Sequence, residues 1–276
     1  MISVLICAKN EENRIKDCLD SVMNEKPDEI ILVDGDSKDS TIQIAKSYDI
    51  KIIISKNSNL TKDRQIGIDA CRNDLIAMID SDHRLKSGDL IGLQNDLQEL
   101  NLDIVQGGID IEPIGFMCRG EKQYISLILN KVGEKKMIGV APCLYQKKVF
   151  EKVRFDDHIT STIDDTDFIY RLSREGIYKI GTGKTSNISL HEPGLKNYFK
   201  KFRWYGKGDG EFCLKHPERA LSMIFHLLIR YPFFYSLKAL FTGNLFAIPY
   251  VIFQGITRAI FMFVRLFELK FGIGLK

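Results

Sequence analysis

Leu75-Ile76-Ala77-Met78-Ile79-Asp80-Ser81-Asp82 is a short apolar run that ends in two carboxylates, and Ile31-Leu32-Val33-Asp34-Gly35-Asp36 has the same form earlier in the chain. Runs of this length and composition read as strands buried on both faces. Two more, Ile2–Ala8 and 51–55, have the same character. Between the four, residues 11–23, 40–48 and 61–72 carry helical spacing, with Asp39 and Ser58 or Asn59 as caps. This alternation predicts an α/β fold, a mostly parallel sheet sandwiched by helices, in which ligands bind outside the carboxyl ends of the strands. The acidic residues that close the runs therefore stand where a ligand would lie.

Past Gly107-Gly108 the alternation gives way to an irregular middle rich in glycine and proline, the kind of loop that carries substrate contacts on a rigid sheet. The 276 residues are 45% hydrophobic and 27% charged, which fits one folded main domain plus an appendage. With 39 basic and 36 acidic groups the net charge is +3, too even for a protein that coats nucleic acid. The six cysteines, Cys7, Cys18, Cys71, Cys118, Cys143 and Cys213, form no CxxC pair and read as reduced, mostly core thiols. Residues 1–8 lack the basic and long apolar regions of a signal peptide, so a cytosolic start is expected. Gly181-Thr182-Gly183-Lys184-Thr185 imitates the end of a P-loop, but Tyr178 stands where its first glycine belongs and no helical pattern follows. There is no GxGxxG after the first strand and no HExxH.

Paired acids at the mouth of a parallel sheet repel each other unless a cation or a donor-rich ligand neutralises them. Mg2+ or Mn2+ bridging a diphosphate answers that need with hard oxygen ligands. Asp36, Ser37 and Asp39 have a plainer reading as caps of the next helix. A third acidic group, Asp164-Asp165-Thr166-Asp167, opens a segment of helical spacing. Such acids suit the helix dipole, and a carboxylate there is also placed to act as a general base.

Together these residues resemble the family 2 glycosyltransferases of GT-A fold, inverting and membrane-associated. Ile6-Cys7-Ala8-Lys9-Asn10-Glu11-Glu12 is similar to the family's first-strand motif, with Ala8 and Lys9 where proline and tyrosine often stand. Val33-Asp34-Gly35-Asp36-Ser37 resembles the second-strand motif with Gly35 and Asp36 exchanged from the commoner order. Arg64-Gln65-Ile66-Gly67 is similar to the Arg-x-x-Gly helix, Asp80-Ser81-Asp82 to the DxD, and the 164–167 acids followed by Arg171 to the motif of the catalytic base. Phe202-Arg203-Trp204 matches the end of an acceptor-side motif whose glutamine is here Lys200.

The resemblance covers residues 1 to about 210 and implies transfer of a sugar from a nucleoside diphosphate donor. It places Ala8, Asn10, Glu11, Asp34, Arg64 and Asp80 at the nucleotide-sugar, and Asp80, Asp82 and His191 at the metal. Asp165 becomes the catalytic base, and Asp164, Arg203 and Trp204 the acceptor side. The acceptor is expected to be a lipid-linked or cell-surface glycan, since His83-Arg84-Leu85-Lys86 replaces the stretch usual in polyprenyl-phosphate sugar synthases, which remain the alternative. A sugar nucleotidyltransferase would carry a basic glycine-rich loop where Asn10-Glu11-Glu12 stands, and a non-catalytic sugar- or lipid-binding adaptor would not need all four of Asp80, Asp82, Asp165 and His191.

From Ala220 the chain turns strongly apolar and aromatic, without an acidic residue until Glu268. The expected division is a catalytic domain over 1–215 and a membrane-associated helical hairpin over 216–276, at the cytoplasmic face of the cell membrane. Helices are predicted at 217–241 and 245–270. On the second, Gln254, Arg258, Arg265 and Glu268 fall on one narrow stripe, suited to an interfacial helix whose arginines meet lipid phosphates or to one packed against the catalytic domain, while Phe246, Ile252, Phe253, Ile256, Ile260 and Phe263 cover much of the remainder. Helices lying in the membrane plane are preferred over a spanning hairpin because Thr242-Gly243-Asn244 and Pro249 interrupt the charge-free stretch 239–257. A soluble helical subdomain or an oligomer interface is the plainer alternative.

Overall fold

The structure is a computed structural model that describes residues 1–159, 162–189 and 193–272. The described chain folds into two compact units. The first takes in Met1–Asp110, Asn130–Thr160 and Asp164–Leu190; the second takes in Ile111–Leu129, Ser161–Ile163 and His191–Lys276.

In the first unit the four expected strands are β1 (Ile2–Ala8), β2 (Glu29–Asp34), β3 (Lys51–Ile54) and β4 (Leu75–Asp80). They alternate with α1 (Ile15–Asn24), α2 (Thr41–Ala45) and α3 (Leu60–Ala70). Residues alternate sides along β1: Val4, Ile6 and Ala8 join a core with Ile15, Leu19 and Val22 of α1, while Leu5 joins another with Ile68 of α3. Both faces are therefore covered by helices, which is why these strands show as unbroken apolar runs. Asn59 caps α3 by accepting from the Lys62 N–H at 2.9 Å.

The parallel register positions the site. On one side of β1, Ala8 pairs with Asp34 of β2; on the other, Cys7 pairs with Asp80 of β4. The two acidic strand ends thus flank the end of β1. Gly67 lets α3 lie close, since a Cβ there would stand 2.1 Å from Leu5 Cδ1. One turn before it, Arg64 reaches the mouth of the sheet.

Beyond β4 come β5 (His83–Arg84), α4 (Asp89–Glu99) and β6 (Ile104–Asp110), then, after the second unit's α5 (Gly115–Tyr124), β7 (Gly133–Glu134), β8 (Cys143–Gln146), α6 (Val149–Lys152), α7 (Asp164–Glu175) and β9 (Ile180–Ser189). The strand order is β3-β2-β1-β4-β8-β6-β9-β5, with β7 on β9. β8 lies antiparallel between β4 and β6, and β5 and β7 pair antiparallel with β9, so the sheet is parallel where the four expected strands lie and mixed beyond. The 181–185 stretch that imitates a P-loop lies inside β9, which disposes of that reading.

The second unit is helical. It holds α5, α8 (Leu195–Lys215), α9 (Ala220–Phe225), α10 (Ser236–Phe241) and α11 (Ala247–Phe271). Residues Pro217–Phe241 run as one helix, with a π-helical stretch, His226–Tyr235, that takes Pro232 into its interior. α8 and α11 approach closely at glycines: a Cβ on Gly206 would stand 2.5 Å from the Arg258 carbonyl, and one on Gly210 2.9 Å from that of Met262. The polar stripe of α11 turns to this contact. Arg258 makes a two-pronged pair with Asp209 (2.8 and 2.7 Å), and Arg265 bonds Glu211 at 2.8 Å and Glu268 at 3.1 Å. Of the two uses expected for the stripe, these ion pairs are packing within the protein. Glu121 of α5 is buried and accepts from Tyr198 (2.5 Å), Lys201 (3.0 Å) and Tyr250 (3.2 Å), which satisfies a charge that would otherwise be costly there.

Candidate active site

The turns after β1 and β2 are zipped together. The Asn10 N–H donates to Ser37 Oγ (2.8 Å) while Asn10 Oδ1 accepts from the Lys38 N–H (2.8 Å). Glu11 and Glu12 donate backbone N–H groups to Thr41 Oγ1 (2.8 Å) and Asp39 Oδ2 (3.1 Å). Asn10 takes a left-handed backbone, φ 57°, which asparagine tolerates better than most residues. Asp34 lies under this arrangement, fully buried, with Oδ1 accepting from the Ser37 N–H and Oδ2 from the Ser37 hydroxyl, each at 2.7 Å. Asp36 pairs with Lys38 at 2.6 Å, and Asp39 accepts from Thr41 at the start of α2. The N-cap position of α2 is Ser40, without a side-chain cap bond, so Asp39 stands one residue before the cap expected of it.

Beside these turns opens a cleft of about 330 Å³ lined by Ala8, Glu11, Asp63, Arg64, Asp80 and Asp82 among others, within the ~300–1,000 Å³ range of small-ligand sites. Asn10 and Asp34 do not line it. Cys7 does, but burial pushes its thiol far up, so it is protonated and no nucleophile. Burial also raises the Glu11 carboxyl; Arg14 opposes the rise and Asp82 adds to it.

Lys9, Arg14 and Arg64 bring positive charge to the cleft, and of these Arg64 is the buried one. It pairs with Asp80 at 3.4 Å and directly with Asp164 at the start of α7, and its guanidinium lies over the Phe155 ring. Burial opposes its charge, but the carboxylates of Asp80 and Asp165 are among the groups that more than offset it and hold it protonated. Arg64→Met would leave buried carboxylate without a partner. It is expected to lower stability by about 3 kcal/mol, the lower end for a broken buried pair, read as a fall in urea midpoint at unchanged slope.

Asp164 is thereby committed to Arg64, while Asp165 beside it is half-buried. Its Oδ1 accepts from the Thr166 N–H at 2.5 Å. Asp167 is fully buried and pairs with Arg171 at 2.8 Å.

At the end of β4, Asp80, Asp82 and His83 bring possible ligand atoms within 4.8 Å of one another. Asp80 and Asp82 are partly exposed and offer the hard oxygens that Mg2+ or Mn2+ takes. His83 is different. Its Nδ1 accepts from the Asp80 N–H at 3.1 Å, so the neutral ring carries its proton on Nε2, which faces Asp82 at 4.0 Å. It offers the acid pair a donor rather than a lone pair. Arg84 ties the same turn down by donating to the Ser81 and His83 carbonyls and to that of Arg14 (2.9, 2.8 and 2.9 Å). His83 and Arg84 form β5, pairing with Ser189 and Ile188, a long-range partnership with no local signal.

His191, expected as a metal ligand, lies outside the described residues. Arg203 and Trp204 belong to the second unit, where the Arg203 guanidinium sits over Phe261 and Trp204 is exposed. The structure therefore gathers Ala8, Glu11, Arg64, Asp80 and Asp82 around one cleft and sets Asp164 against Arg64. Asp63 is a cleft residue that sequence reasoning passed over, while Ser58 was read only as a possible cap and His83 only as part of the stretch after Asp82. For Asp63 a signal existed in the glycine at position 35, whose missing side chain leaves room for another group.

Residues 3–153 match the domain described as Glycosyl transferase family 2. An uncharacterized glycosyltransferase of Rickettsia typhi is 28% identical over 229 residues, which is 79% of this chain and 70% of that protein. Another, of Rickettsia prowazekii, is 30% identical over 174 residues, 60% of this chain and 52% of that protein. Among solved structures, S. aureus TarS 1-349 in complex with UDP-GlcNAc aligns with 100% of this chain and 93% of its own, at a TM-score of 0.56 and 14% identity. At that identity the likeness concerns the fold.

Proposed function

The chain belongs to glycosyl transferase family 2 and has its GT-A fold, and from that premise we propose that it is an inverting, metal-dependent enzyme. It moves a sugar from a nucleoside diphosphate to a lipid-linked or cell-surface glycan. The observation that carries this reading is the cleft itself, where the carboxyl ends of parallel strands bring Asp80, Asp82 and buried Arg64 together. The structural likeness to a protein solved with UDP-GlcNAc supports a nucleotide-sugar donor.

Asp82 and the Asp80 oxygen not facing Arg64 would hold Mg2+ or Mn2+, with His191 as the further expected ligand. When bound, the ion supplies positive charge for the departing diphosphate. Arg64 fixes Asp80 from beneath, and His83 and Arg84 hold the turn that presents Asp82. Asp165 takes the proton from the acceptor hydroxyl as its oxygen attacks the anomeric carbon. The bond to the diphosphate oxygen breaks on the opposite face, which inverts the centre. Asp165 is taken as the base from its place in the acidic motif that the family resemblance picks out, and its neighbour Asp164 pairs with Arg64. Incubation with a panel of nucleotide sugars, followed by mass spectrometry, tests the reading; donor-dependent release of nucleoside diphosphate is expected, and pyrophosphate release from a parallel incubation with nucleoside triphosphates and sugar 1-phosphates would overturn it in favour of nucleotidyl transfer.

The working division is a catalytic domain over 1–215 and a membrane-associated region over 216–276, at the cytoplasmic face. Two helices, Pro217–Phe241 and Ala247–Phe271, are long and apolar enough to cross a membrane by length and composition. Leu221, Phe233, Phe234, Phe241, Phe263 and Phe267 are exposed on them. Spanning would carry the Arg258–Asp209 and Arg265–Glu211 pairs, and the lysine-rich α8, into hydrocarbon at high cost. An in-plane arrangement buries the exposed apolar side and keeps those pairs inside the protein. Deleting 217–276 is a poor test, since α11 covers buried Tyr198 and Phe202 of α8. Instead, the protein with Phe233, Phe234, Phe263 and Phe267 all changed to Ser is expected to stop floating with anionic phospholipid vesicles. Equal flotation of variant and wild type, or a wild type that stays in solution without detergent and ignores vesicles, sinks the membrane reading.

A further inference from the structure

The cleft contains a carboxylate that this mechanism does not use. Asp63, in the first turn of α3, is 5% exposed and lines the cleft with Ser58, Asn59 and Leu60. Its Oδ1 accepts from the Ser58 hydroxyl at 2.5 Å, and among the described residues no donor lies on Oδ2. A carboxylate oxygen that opens on a ligand cleft accepts from water there, and a ligand that displaces the water without donating in its place loses that bond.

Its location says what the donor is. Asp63 Oδ2 stands 3.1 Å from where a Cβ on Gly35 would be, and Lys9 Cδ stands 3.2 Å from the same point. The absent side chain of Gly35 is therefore the space that Asp63 fills, over the end of β2. Asp80 and Asp82 stand at the end of β4, on the other side of β1. Two strand spacings separate β2 from β4, roughly 10 Å. A nucleoside diphosphate with its phosphates at the β4 end brings its base towards the β2 end. Of the other carboxylates at that end, Asp34 is fully buried with Ser37 donating to both its oxygens, Asp36 pairs with Lys38, and neither lines the cleft.

We propose that Asp63 reads the nucleobase of the donor and selects bases with a ring N–H, uracil or guanine, over cytosine and adenine. The inference rests on the nucleotide-donor reading above. An ionised carboxylate only accepts hydrogen bonds. Uracil N3–H and guanine N1–H give it a donor, whereas cytosine N3 and adenine N1 turn a lone pair towards it. Ser58 fixes the carboxylate's orientation, and Gly35 is the position that must stay small.

Calorimetric titration of the full chain with UDP, GDP, CDP and ADP, each with Mg2+, tests this without turnover. The wild type is expected to bind UDP or GDP at least ~10-fold more tightly than CDP and ADP, the scale of one hydrogen bond to a charged group. In Asp63→Asn, whose amide can both donate and accept, the discrimination is expected to fall below about threefold. Binding of Mg2+-pyrophosphate should be unchanged in that variant. Ser58→Ala, which keeps the carboxylate but frees it, is expected to show partial loss, and the wild-type preference is a test that needs no variant to fold. An Asp63→Asn protein that binds all four nucleotides more weakly by one common factor would place the carboxylate on the ribose or in the scaffold and overturn the inference, as would a wild type that binds all four alike. If none of the four binds, the donor reading itself fails, a result distinct from loss of base preference alone.

Discussion

Asp165→Asn is expected to lower glycosyl transfer by a factor of ~100 to 10,000, the contribution usual for a general base, while nucleotide binding stays within about twofold. The asparagine keeps the shape of the side chain and its acceptor oxygen for the Thr166 N–H. What it would lose, on the proposed mechanism, is the ability to take a proton from the acceptor hydroxyl. Asp164→Asn has a different signature. Its carboxylate faces Arg64, so that variant should lose stability and donor affinity together. Transfer that survives in Asp165→Asn at the wild-type rate, in a protein whose nucleotide binding is intact, removes Asp165 from the reaction.

Asp82→Asn is expected to cost at least ~100-fold in turnover, the scale of losing one electrostatic stabiliser of the leaving group, with an unchanged thermal midpoint. The midpoint should hold because Asp82 is partly exposed, with its near neighbour His83 Nε2 at 4.0 Å, and the apolar core is built from the strands below it. Mn2+ binding, followed by electron paramagnetic resonance, should weaken in parallel, a measurement that does not depend on turnover. His83→Gln provides the control. If His83 orients Asp82 through its Nε2 proton, Mn2+ binding should fall only a few-fold, whereas a true ligand would cost about 10–100-fold or more. Full activity of Asp82→Asn, or of the wild type in excess chelator, would end the metal claim.

How much of the site was legible depended on whether its geometry is local. The ends of β2 and β4 were readable because an acid closing a strand buried on both faces marks the mouth of a parallel sheet, and the register then brings Asp34 and Asp80 to either side of β1. Asp34 shows the limit of that reading. Its position followed from the sequence, but the turn that Ser37 closes beneath it makes it a structural acceptor in this arrangement. Arg64 was identified from its motif; that it joins Asp80 to Asp164 across a hundred residues of chain was not.

The amino-acid sequence alone determined the α/β class, the four parallel strands, the Asp80-Ser81-Asp82 cluster and the two apolar C-terminal helices, because each is set by periodicity and composition within a short window. Tertiary structure alone decided the antiparallel strands that complete the sheet, the pairing of His83 with Ser189, the place of Asp63 over Gly35, and the inward turn of Arg258 and Arg265. Each of these depends on a partner distant in the chain. A charge on a helix reads the same in sequence whether it meets water, lipid or a carboxylate, and only the packing of α11 on α8, at glycines that let the backbones touch, settles which it meets.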